Sequence, residues 1–394
     1  MADIRNGFKC PTCGNEDIHS IGILNGKPYC RKCIVFKGEM ADLDYMCTKK
    51  AYIQIDYDLS PEQKVLSYKV LCNYKNGIDS LVYAVTGSGK TEICLQTMKY
   101  CIDSNLRVGF AVPRRTVCAE LCDRFAHHFP NNKVIAVYGG HHKTIKGDII
   151  CLTTHQLFRY KGYFDLLILD EIDAFPYKGN EVLEQLFKNA IKGHYVLLTA
   201  TPSKALLKEY QKLGKDVLRL AVRFHRHPLP VPKLVFGGKI VLYYKLLKQI
   251  RHFLKNKKQI FIFVPTVDQS KKLAFFLRLI FHTGTYINSH RKDNDLVIED
   301  FRKKKYMFLV TTAVLERGVT VKDLQVIVFN ADHAVYDSAA LIQIAGRAGR
   351  KIDAPEGEVI FFAKRNNEEI QGSIDDINAN NKILQDMLQR DKNG

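Results

Sequence analysis

A glycine-rich segment in the first quarter of the chain has the residue types that bind phosphate. Residues 84–91 read Ala-Val-Thr-Gly-Ser-Gly-Lys-Thr; they follow a short apolar run and precede a stretch with helical spacing. A strand, a glycine-rich turn and a helix in this order are the context that a phosphate-binding P-loop needs. Backbone N–H groups and the helix N-terminus would bind the anion there. The sequence therefore predicts a nucleotide site built from Gly87, Ser88, Gly89, Lys90 and Thr91.

Two side chains of this segment have separate predicted roles. Lys90 would reach the β- and γ-phosphates, and the Thr91 hydroxyl would hold Mg²⁺. Ala84 stands where the motif usually begins with glycine, and the rest of the motif is intact. The alternative is an ordinary glycine-rich turn, which the surrounding strand and helix disfavour. We predict ATP and Mg²⁺ as ligands.

A second set of reactive side chains is acidic. The apolar run 164–169 ends in Asp170-Glu171-Ile172-Asp173. Acidic residues at the C-terminal end of a parallel strand lie at the crevice where α/β sheets bind ligands. Asp170 would hold Mg²⁺ through its water shell, and Glu171 would orient or deprotonate the attacking water. The alternative is an acidic loop after a strand, and the upstream P-loop makes ATP hydrolysis the stronger interpretation.

Four of the 11 cysteines form two Cys-x-x-Cys pairs, with sixteen residues between the pairs. This spacing predicts a closed tetrahedral zinc site with Cys10, Cys13, Cys30 and Cys33 as ligands. Two redox pairs or free thiols are the alternative. The remaining cysteines are expected to be small buried hydrophobic residues; they are Cys47, Cys72, Cys94, Cys101, Cys118, Cys122 and Cys151.

The composition indicates a basic globular protein. The 394 residues are 46% hydrophobic and carry a formal net charge of +18. Such a charge favours a polyanionic partner, and nucleic acid is a commoner partner than an anionic membrane surface. We predict no membrane span, because no apolar run approaches the roughly 18 residues that a span needs. The first residues lack the apolar core of a signal peptide, so we predict a cytoplasmic protein.

Strands and helices alternate in two stretches of the chain. Predicted strands of the first stretch are 81–85, 108–112, 134–138, 149–152, 166–169 and 195–198, with a helix at 116–129. A proline-rich, basic linker follows at 223–232. Predicted strands of the second stretch are 260–264, 307–310, 326–329 and 359–362, with helices at 270–281 and 339–345. Ile374, Ile377, Leu384 and Leu388 recur at helical spacing and predict a terminal helix. Alternation of this kind predicts parallel sheets covered by helices.

Further motifs follow one another in a fixed order. They read Leu-Ser-Pro-Glu-Gln at 59–63, Val-Pro-Arg-Arg at 112–115 (motif Ia), Thr-Thr-His at 153–155 (motif Ib), Thr-Ala-Thr-Pro at 199–202 (motif III), Val-Pro-Thr at 264–266 (motif IV), Thr-Thr at 311–312 with Glu-Arg-Gly-Val-Thr at 316–320 (motif V), and Gln-Ile-Ala-Gly-Arg-Ala-Gly-Arg at 343–350 (motif VI). Together with the P-loop and the acidic box, this set resembles the superfamily 2 helicases and translocases. That resemblance implies two RecA-like lobes with ATP between them.

The resemblance gives roles to residues that spacing alone would not identify. It implies that Gln63 reads adenine and that Gly318 and Gln343 belong to the nucleotide site. It also implies that motif III links hydrolysis to the grip on nucleic acid. The nucleic-acid backbone would be held by residues of motifs Ia, Ib and V, namely Arg114, Thr154 and Thr312.

Motif VI contains two arginines three residues apart. At a lobe interface, Arg347 and Arg350 would stabilise charge on the transferring phosphoryl group, as arginine fingers do. The alternative is a basic loop. Two departures from the RNA-helicase pattern favour a DNA motor: Thr320 stands where many relatives carry Asp, and Ile344 stands where DEAD-box proteins carry Arg.

A closer resemblance rests on the combination of motifs. A four-cysteine module ahead of residues 59–63, an Asp-Glu-Ile-Asp box and Leu-Glu-Arg-Gly-Val-Thr at 315–320 together resemble the late-competence DNA-uptake ATPases of the ComFA type. This resemblance implies an ATPase stimulated by single-stranded DNA that draws transforming DNA into the cytoplasm. It implies a companion late-competence protein (ComFC type) and the membrane DNA-uptake channel as partners. A peripheral position at the inner face of the cell membrane is left open.

The predicted fold is α/β, with two RecA-like parallel-sheet lobes preceded by a small four-cysteine zinc module. The predicted limits are 1–50 for the module, 51–220 for lobe 1, and 221–394 for the linker, lobe 2 and terminal helix. Two functional alternatives remain: an RNA helicase or remodeller, and a nucleic-acid-binding adaptor that uses ATP as a clamp.

Overall fold

The computed structural model describes residues 5–36, 38–42, 45, 49–141, 143–174, 176–312 and 321–393. The chain divides into two compact units. The first comprises Met1–Ala84 and Gly89–Leu220, and the second comprises Val85–Ser88 and Ala221–Gly394.

The first unit begins with a small cysteine module. A 3₁₀ turn, Ile18–Ser20, leads into an antiparallel hairpin of β1 (Ile21–Leu24) and β2 (Lys27–Cys30). The Asn25-Gly26 turn closes the hairpin with both residues at positive φ, which is the conformation that a tight two-residue hairpin turn requires. The module's buried core consists of Ile21 and four cysteines, so it has little apolar surface of its own.

The main sheet of the first unit is parallel and has the strand order β5-β6-β4-β7-β8-β3-β9. Its strands are β3 Ser80–Ala84, β4 Val108–Val112, β5 Val134–Val137, β6 Ile149–Thr153, β7 Phe164–Asp170, β8 Ile191–Thr199 and β9 Val217–Leu220. Every residue of β3, β4 and β6 is buried. These strands read as continuous apolar runs because helices cover both faces of a parallel sheet.

The first helix of this unit begins at a side-chain N-cap. Ser60 accepts a hydrogen bond from the Gln63 N–H, and the Gln63 side chain accepts one from the Ser60 N–H, which forms a capping box. The helices are α1 Pro61–Lys75, α2 Lys90–Ile93, α3 Leu95–Asp103, α4 Arg115–His128, α5 Glu181–Ala190 and α6 Lys204–Lys212, with a 3₁₀ helix at Thr154–Arg159.

The second unit has a parallel sheet with the strand order β10-β15-β14-β11-β13-β12. Its strands are β10 Lys233–Phe236, β11 Gln259–Phe263, β12 Gly284–Ile287, β13 Phe308–Thr311, β14 Leu324–Phe329 and β15 Val359–Ala363. Its helices are α7 Lys239–Lys255, α8 Val267–Phe281, α9 Asn294–Arg302, α10 Ser338–Ala345 and α11 Glu368–Asn393. The predicted α/β class with two parallel sheets is confirmed.

The differences from the sequence prediction concern edges and connections. The edge strands β9, β10 and β12 have four residues each, too few for a periodic pattern to distinguish. Residues 223–232, which we predicted to be a linker, contain no helix or strand, and one of them is anchored to α11. Leu229 is buried, and its backbone forms two hydrogen bonds with the Asn381 side chain on α11.

The cysteines outside the module match their expected role for the most part. Cys94, Cys101, Cys118 and Cys151 are buried, and Cys72 and Cys122 are half-buried. Cys47 lies outside the described residues. The terminal helix is confirmed as α11, which buries Ile377 and Leu384.

Candidate functional site

The P-loop occupies the turn from β3 to α2, and two glycines make its shape possible. Gly87 and Gly89 have φ of +80° and +74°, which residues with a Cβ atom rarely adopt. A Cβ atom on Gly89 would also lie 2.2 Å from Nε2 of Gln63. The structure therefore places the Gln63 side chain beside the P-loop, in the region where we predicted a nucleotide contact.

Lys90 and Asp170 face each other across the sheet's C-terminal edge. Lys90 is the first residue of α2, Asp170 is the last residue of β7, and the Lys90 Nζ lies 3.5 Å from the Asp170 Oδ1. Burial raises the pKa of the Asp170 carboxyl, against the opposing effect of the Lys90 charge. A carboxylate oxygen is the kind of ligand that Mg²⁺ prefers, and Asp170 offers one beside the P-loop lysine. The two predicted residues are thus brought together.

The predicted magnesium ligand Thr91 is buried and lies in a charged network that the motifs did not indicate. The Arg124 Nη2 donates to the Thr91 Oγ1 over 3.1 Å, and the Arg124 Nη1 lies 3.6 Å from the Glu92 Oε1. The Tyr57 hydroxyl donates to the same Glu92 carboxylate over 3.1 Å. Arg124 and Tyr57 come from α4 and the segment before α1, so no local sequence signal connects them with the P-loop.

Glu171, the candidate base, has an unusual backbone conformation. Its φ is +57°, and its N–H donates to the Asp170 Oδ1 over 2.8 Å. A non-glycine residue in the left-handed region is strained, and such strain concentrates at functional sites.

Asp173 joins the acidic box to motif III. Its carboxylate accepts hydrogen bonds from the hydroxyls of Thr199, over 2.9 Å, and Thr201, over 2.5 Å. Thr199 ends β8, the neighbour of β7 in the sheet. Two direct hydrogen bonds therefore connect the acidic box with motif III. Asp173 lies in the acidic box, and it meets Thr199 and Thr201 because β7 pairs with β8 in the sheet.

The predicted nucleic-acid contacts differ in exposure. Arg114 is half-buried at the N-cap of α4. Thr154 is 0% exposed, so a contact from motif Ib would have to come from its backbone or from the exposed His155. Thr312 is largely buried after β13, and motif V residues 313–320 lie outside the described residues, including the predicted nucleotide residue Gly318.

Motif VI belongs to the second unit and spans α10 and the turn after it. Gln343 and Arg347 are buried, and Arg350 is half-buried. The Gln343 Nε2 finds no hydrogen-bond acceptor among the described residues. Ile344 is fully buried in the core of this unit, which leaves no room for the arginine that DEAD-box proteins carry here.

The four cysteines predicted as ligands converge on one point. All four Sγ atoms are buried and lie within 4.8 Å of one another. The Cys10 and Cys33 sulfurs are 3.4 Å apart, and the Cys13 and Cys30 sulfurs are 3.6 Å apart. Tetrahedral Zn²⁺ with Zn–S bonds of about 2.3 Å places sulfurs about 3.8 Å apart, so the residues fit zinc. Burial raises the pKa of the Cys13 thiol to about 11, so metal binding must displace protons.

The cysteine module packs on motif Ib. The Phe36 ring lies 6.1 Å from the His155 ring and 5.9 Å from the Phe158 ring. Arg159 is linked to the module's exit by two hydrogen bonds: its Nη1 donates to the Glu39 carbonyl, and its carbonyl accepts from the Ala41 N–H. The module is therefore a support of the 3₁₀ helix Thr154–Arg159.

Within the described ranges, the chain has no helix of the length and apolarity needed to cross a bilayer.

Comparisons with known proteins agree with this geometry. One family model, described as the helicase conserved C-terminal domain, matches residues 242–351, and another, described as the type III restriction enzyme res subunit, matches residues 56–204. Competence protein ComFA of Bacillus subtilis (strain 168) is 31% identical over 379 residues, which cover 90% of this chain and 81% of that protein.

Two further similarities extend the comparison. Competence protein ComFA of Streptococcus pneumoniae (strain ATCC BAA-255 / R6) is 31% identical over 390 residues, 95% of this chain and 90% of that protein. The structure of S. cerevisiae Dbp5 bound to RNA and ADP BeF3 has a TM-score of 0.61 at 18% identity, covering 82% of this chain and 91% of that chain. At this identity the structural likeness concerns the fold alone.

Proposed function

The chain belongs to the ComFA family of competence proteins, and from this premise we propose that it draws a single strand of DNA with energy from ATP. Two family models of helicase type match this chain, which is an ATP-dependent helicase or translocase of competence DNA uptake. The single observation that carries the proposal is the Lys90–Asp170 pair beside the P-loop. This pair supplies a positive charge for the phosphates and a carboxylate for Mg²⁺.

We propose that the P-loop and the acidic box bind ATP as follows. The backbone of Gly87 to Gly89 contacts the phosphates, and Lys90 neutralises their β- and γ-oxygens. Mg²⁺ would be held by the Thr91 hydroxyl and, through water, by Asp170. When the phosphates arrive, Lys90 exchanges its contact with Asp170 for one with the nucleotide. Gln63, which is packed against Gly89, is proposed to contact the adenine and to fix the P-loop.

Hydrolysis is proposed to depend on three further side chains. Glu171 orients and deprotonates the attacking water, and its strained backbone fixes its direction. Arg347 and Arg350 stabilise the negative charge that develops on the transferring phosphoryl group. Gln343 and Gly318 are proposed to complete the nucleotide site. The bonds from Asp173 to Thr199 and Thr201 would pass changes at the acidic box to motif III.

The DNA grip is proposed to be independent of sequence. A motor has to step along any strand, so its contacts go to phosphates and sugars, and the net charge of +18 favours them. Arg114, Thr312 and the turn at Thr154 are our candidates. Because each neutralised phosphate releases counterions, the DNA affinity should fall steeply as salt rises.

Zinc is proposed as the ion of the cysteine module, held by Cys10, Cys13, Cys30 and Cys33. It would replace the missing apolar core of the module, which supports motif Ib through Phe36 and Arg159. A ComFC-type companion protein and the membrane DNA-uptake channel are proposed partners by family membership, and a position at the inner face of the membrane follows from that partnership.

The proposal is tested by steady-state ATP hydrolysis with equal nucleotide concentrations of single-stranded DNA, duplex DNA and single-stranded RNA. We expect single-stranded DNA to stimulate hydrolysis most. The Lys90→Ala variant serves as a blank for contaminating ATPases. Strong stimulation by RNA with none by DNA would overturn the proposed substrate and favour the RNA-helicase alternative, while leaving the ATPase engine intact.

A further inference from the structure

A buried arginine of the linker is bound to the backbone of motif VI. Arg223 is 1% exposed, although it lies in the proline-rich segment that joins the two α/β stretches. Its Nη1 donates to the carbonyls of Ala348, over 3.0 Å, and Gly349, over 2.7 Å. Its Nη2 donates to the Gly346 carbonyl over 3.2 Å. One guanidinium thus holds three carbonyls of the turn that carries Arg347.

The three carbonyls follow the C-terminal end of α10. Gly346 is the C-cap of this helix, where carbonyl groups have no partner within the helix and carry partial negative charge. Gly349 has φ of +63°, and a Cβ atom there would lie 2.1 Å from the Pro355 carbonyl oxygen. The turn has a conformation that only glycine accommodates, and the guanidinium fork stabilises it from inside.

The contact is unusual because its partners are dipoles and not a carboxylate. No described residue forms an ion pair with Arg223. A buried cation without an anion is unfavourable unless its donors are satisfied. Burial, with the nearby charge of Arg350, lowers the pKa of Arg223 to about 9, so the group is still charged at neutral pH.

A second linker residue contacts the same turn. The His225 Nε2 donates to the Gly349 carbonyl over 3.1 Å. Burial lowers the pKa of His225 to about 4, so this ring is neutral and adds a hydrogen bond without a second charge. The linker therefore binds the Gly349 carbonyl from two side chains, and the larger contribution comes from Arg223.

We propose that Arg223 is a positioning residue for motif VI: it fixes the turn Gly346–Gly349 so that Arg347 and Arg350 are held in their catalytic orientation. The inference rests on the proposed role of these two arginines in hydrolysis. Arg223 does not itself touch the nucleotide in this scheme. It acts through the backbone that places the other two guanidinium groups.

The first test compares Arg223→Lys with the matched variant Arg226→Lys. A lysine keeps the charge but, as a point charge, cannot hold three carbonyls in the geometry of a planar fork. We expect Arg223→Lys to lower kcat about tenfold with a smaller effect on KM for ATP, because Arg223 donates three hydrogen bonds to motif VI and one, from its Nε over 3.3 Å, to the Thr86 carbonyl of the P-loop. Arg226 forms an ion pair with Asp391 near the protein surface, and its replacement should leave kcat unchanged. Thermal melts establish that both variants are folded.

The second test combines Arg223→Lys with the double variant Arg347→Ala, Arg350→Ala and measures single-turnover phosphate release. If Arg223 acts through these arginines, its replacement has no further effect once they are absent. An additive tenfold loss would overturn the inference and leave the arginine fingers in place. Wild-type turnover by the Arg347→Ala, Arg350→Ala variant would instead refute the proposed catalytic role, and the inference with it. The two failures are therefore distinguishable.

Discussion

The P-loop contains a half-buried cationic side chain and motif VI contacts a buried one, and the two cations have opposite kinds of partner. At the P-loop, Lys90 lies 3.5 Å from the Asp170 carboxylate, so charge faces charge. At motif VI, the Arg223 guanidinium is held by backbone carbonyls at the end of a helix. An ion pair can exchange partners when a nucleotide arrives. A guanidinium enclosed by carbonyls stays in place and fixes the backbone around it.

The two arrangements favour different roles, nucleotide binding at the P-loop and phosphoryl transfer at motif VI. In the proposed function, Lys90 can exchange Asp170 for the phosphates when Mg²⁺–ATP binds. The turn of motif VI keeps its hydrogen bonds to Arg223, which suits an orientation that matters only during phosphoryl transfer. Substitutions at the P-loop should therefore remove nucleotide binding and turnover together. Substitutions at motif VI should remove turnover and spare binding.

Lys90→Ala is expected to have the largest effect. Loss of the charge that neutralises the β- and γ-phosphates should lower turnover by about 10³-fold or more and weaken ATP binding. Fluorescent-nucleotide binding and ATP hydrolysis measure the two effects. Lys69→Ala, on the exposed face of α1, is the control. If Lys90→Ala binds ATP normally, Lys90 does not contribute to nucleotide binding, and the proposed difference between the P-loop and motif VI is wrong.

Glu171→Gln should separate binding from chemistry within the first unit. The amide keeps the shape of the side chain but cannot accept the proton of the attacking water. We expect ATP to bind normally and turnover to fall by about 10²-fold or more. Glu181→Gln, an exposed residue at the start of α5, is the matched control. Hydrolysis at the wild-type rate would show that Glu171 is not the base.

Arg347→Ala and Arg350→Ala test the second side of the comparison. Each should lower kcat by about 10²-fold while nucleotide affinity stays nearly unchanged, because the guanidinium acts on charge that develops during transfer. Arg278→Ala, exposed on α8, controls for the loss of a positive charge. If these variants lose nucleotide binding and turnover to the same extent, the two arginines do not act on turnover alone, and they do not differ from Lys90 as proposed.

Cys10→Ser should have the smallest effect on hydrolysis, since neither phosphate site contains the module. Metal analysis should show zinc in the wild type and its loss in the variant. The lobes have apolar cores of their own, so basal ATP turnover should stay within about twofold.

DNA binding in Cys10→Ser should weaken, because the module supports motif Ib through Phe36. Cys72→Ser, outside the module, is the control. An intact wild-type protein that contains no zinc would contradict the prediction that the four cysteines bind this ion. Unchanged DNA binding by Cys10→Ser would contradict the supporting role of the module.

Much of the protein could be predicted from the sequence because its signals are local. The P-loop, the acidic box and the paired cysteines each lie within a few residues of one strand or turn, and continuous apolar runs marked the central strands. The α/β fold with two parallel sheets and membership of the ComFA family are confirmed. The roles of the individual site residues remain predictions.

Only the tertiary structure determined which distant residues meet. The pairing of β7 with β8 brings Asp173 to Thr199, and the packing of the cysteine module brings Phe36 to His155. Arg223 looked like part of a basic linker, and its burial against motif VI had no signal in the local sequence. A hydrogen bond to a backbone carbonyl depends on where the chain lies and not on which residue provides that carbonyl. The sequence by itself therefore predicted the phosphate-binding residues, and the fold alone determined how these residues are held.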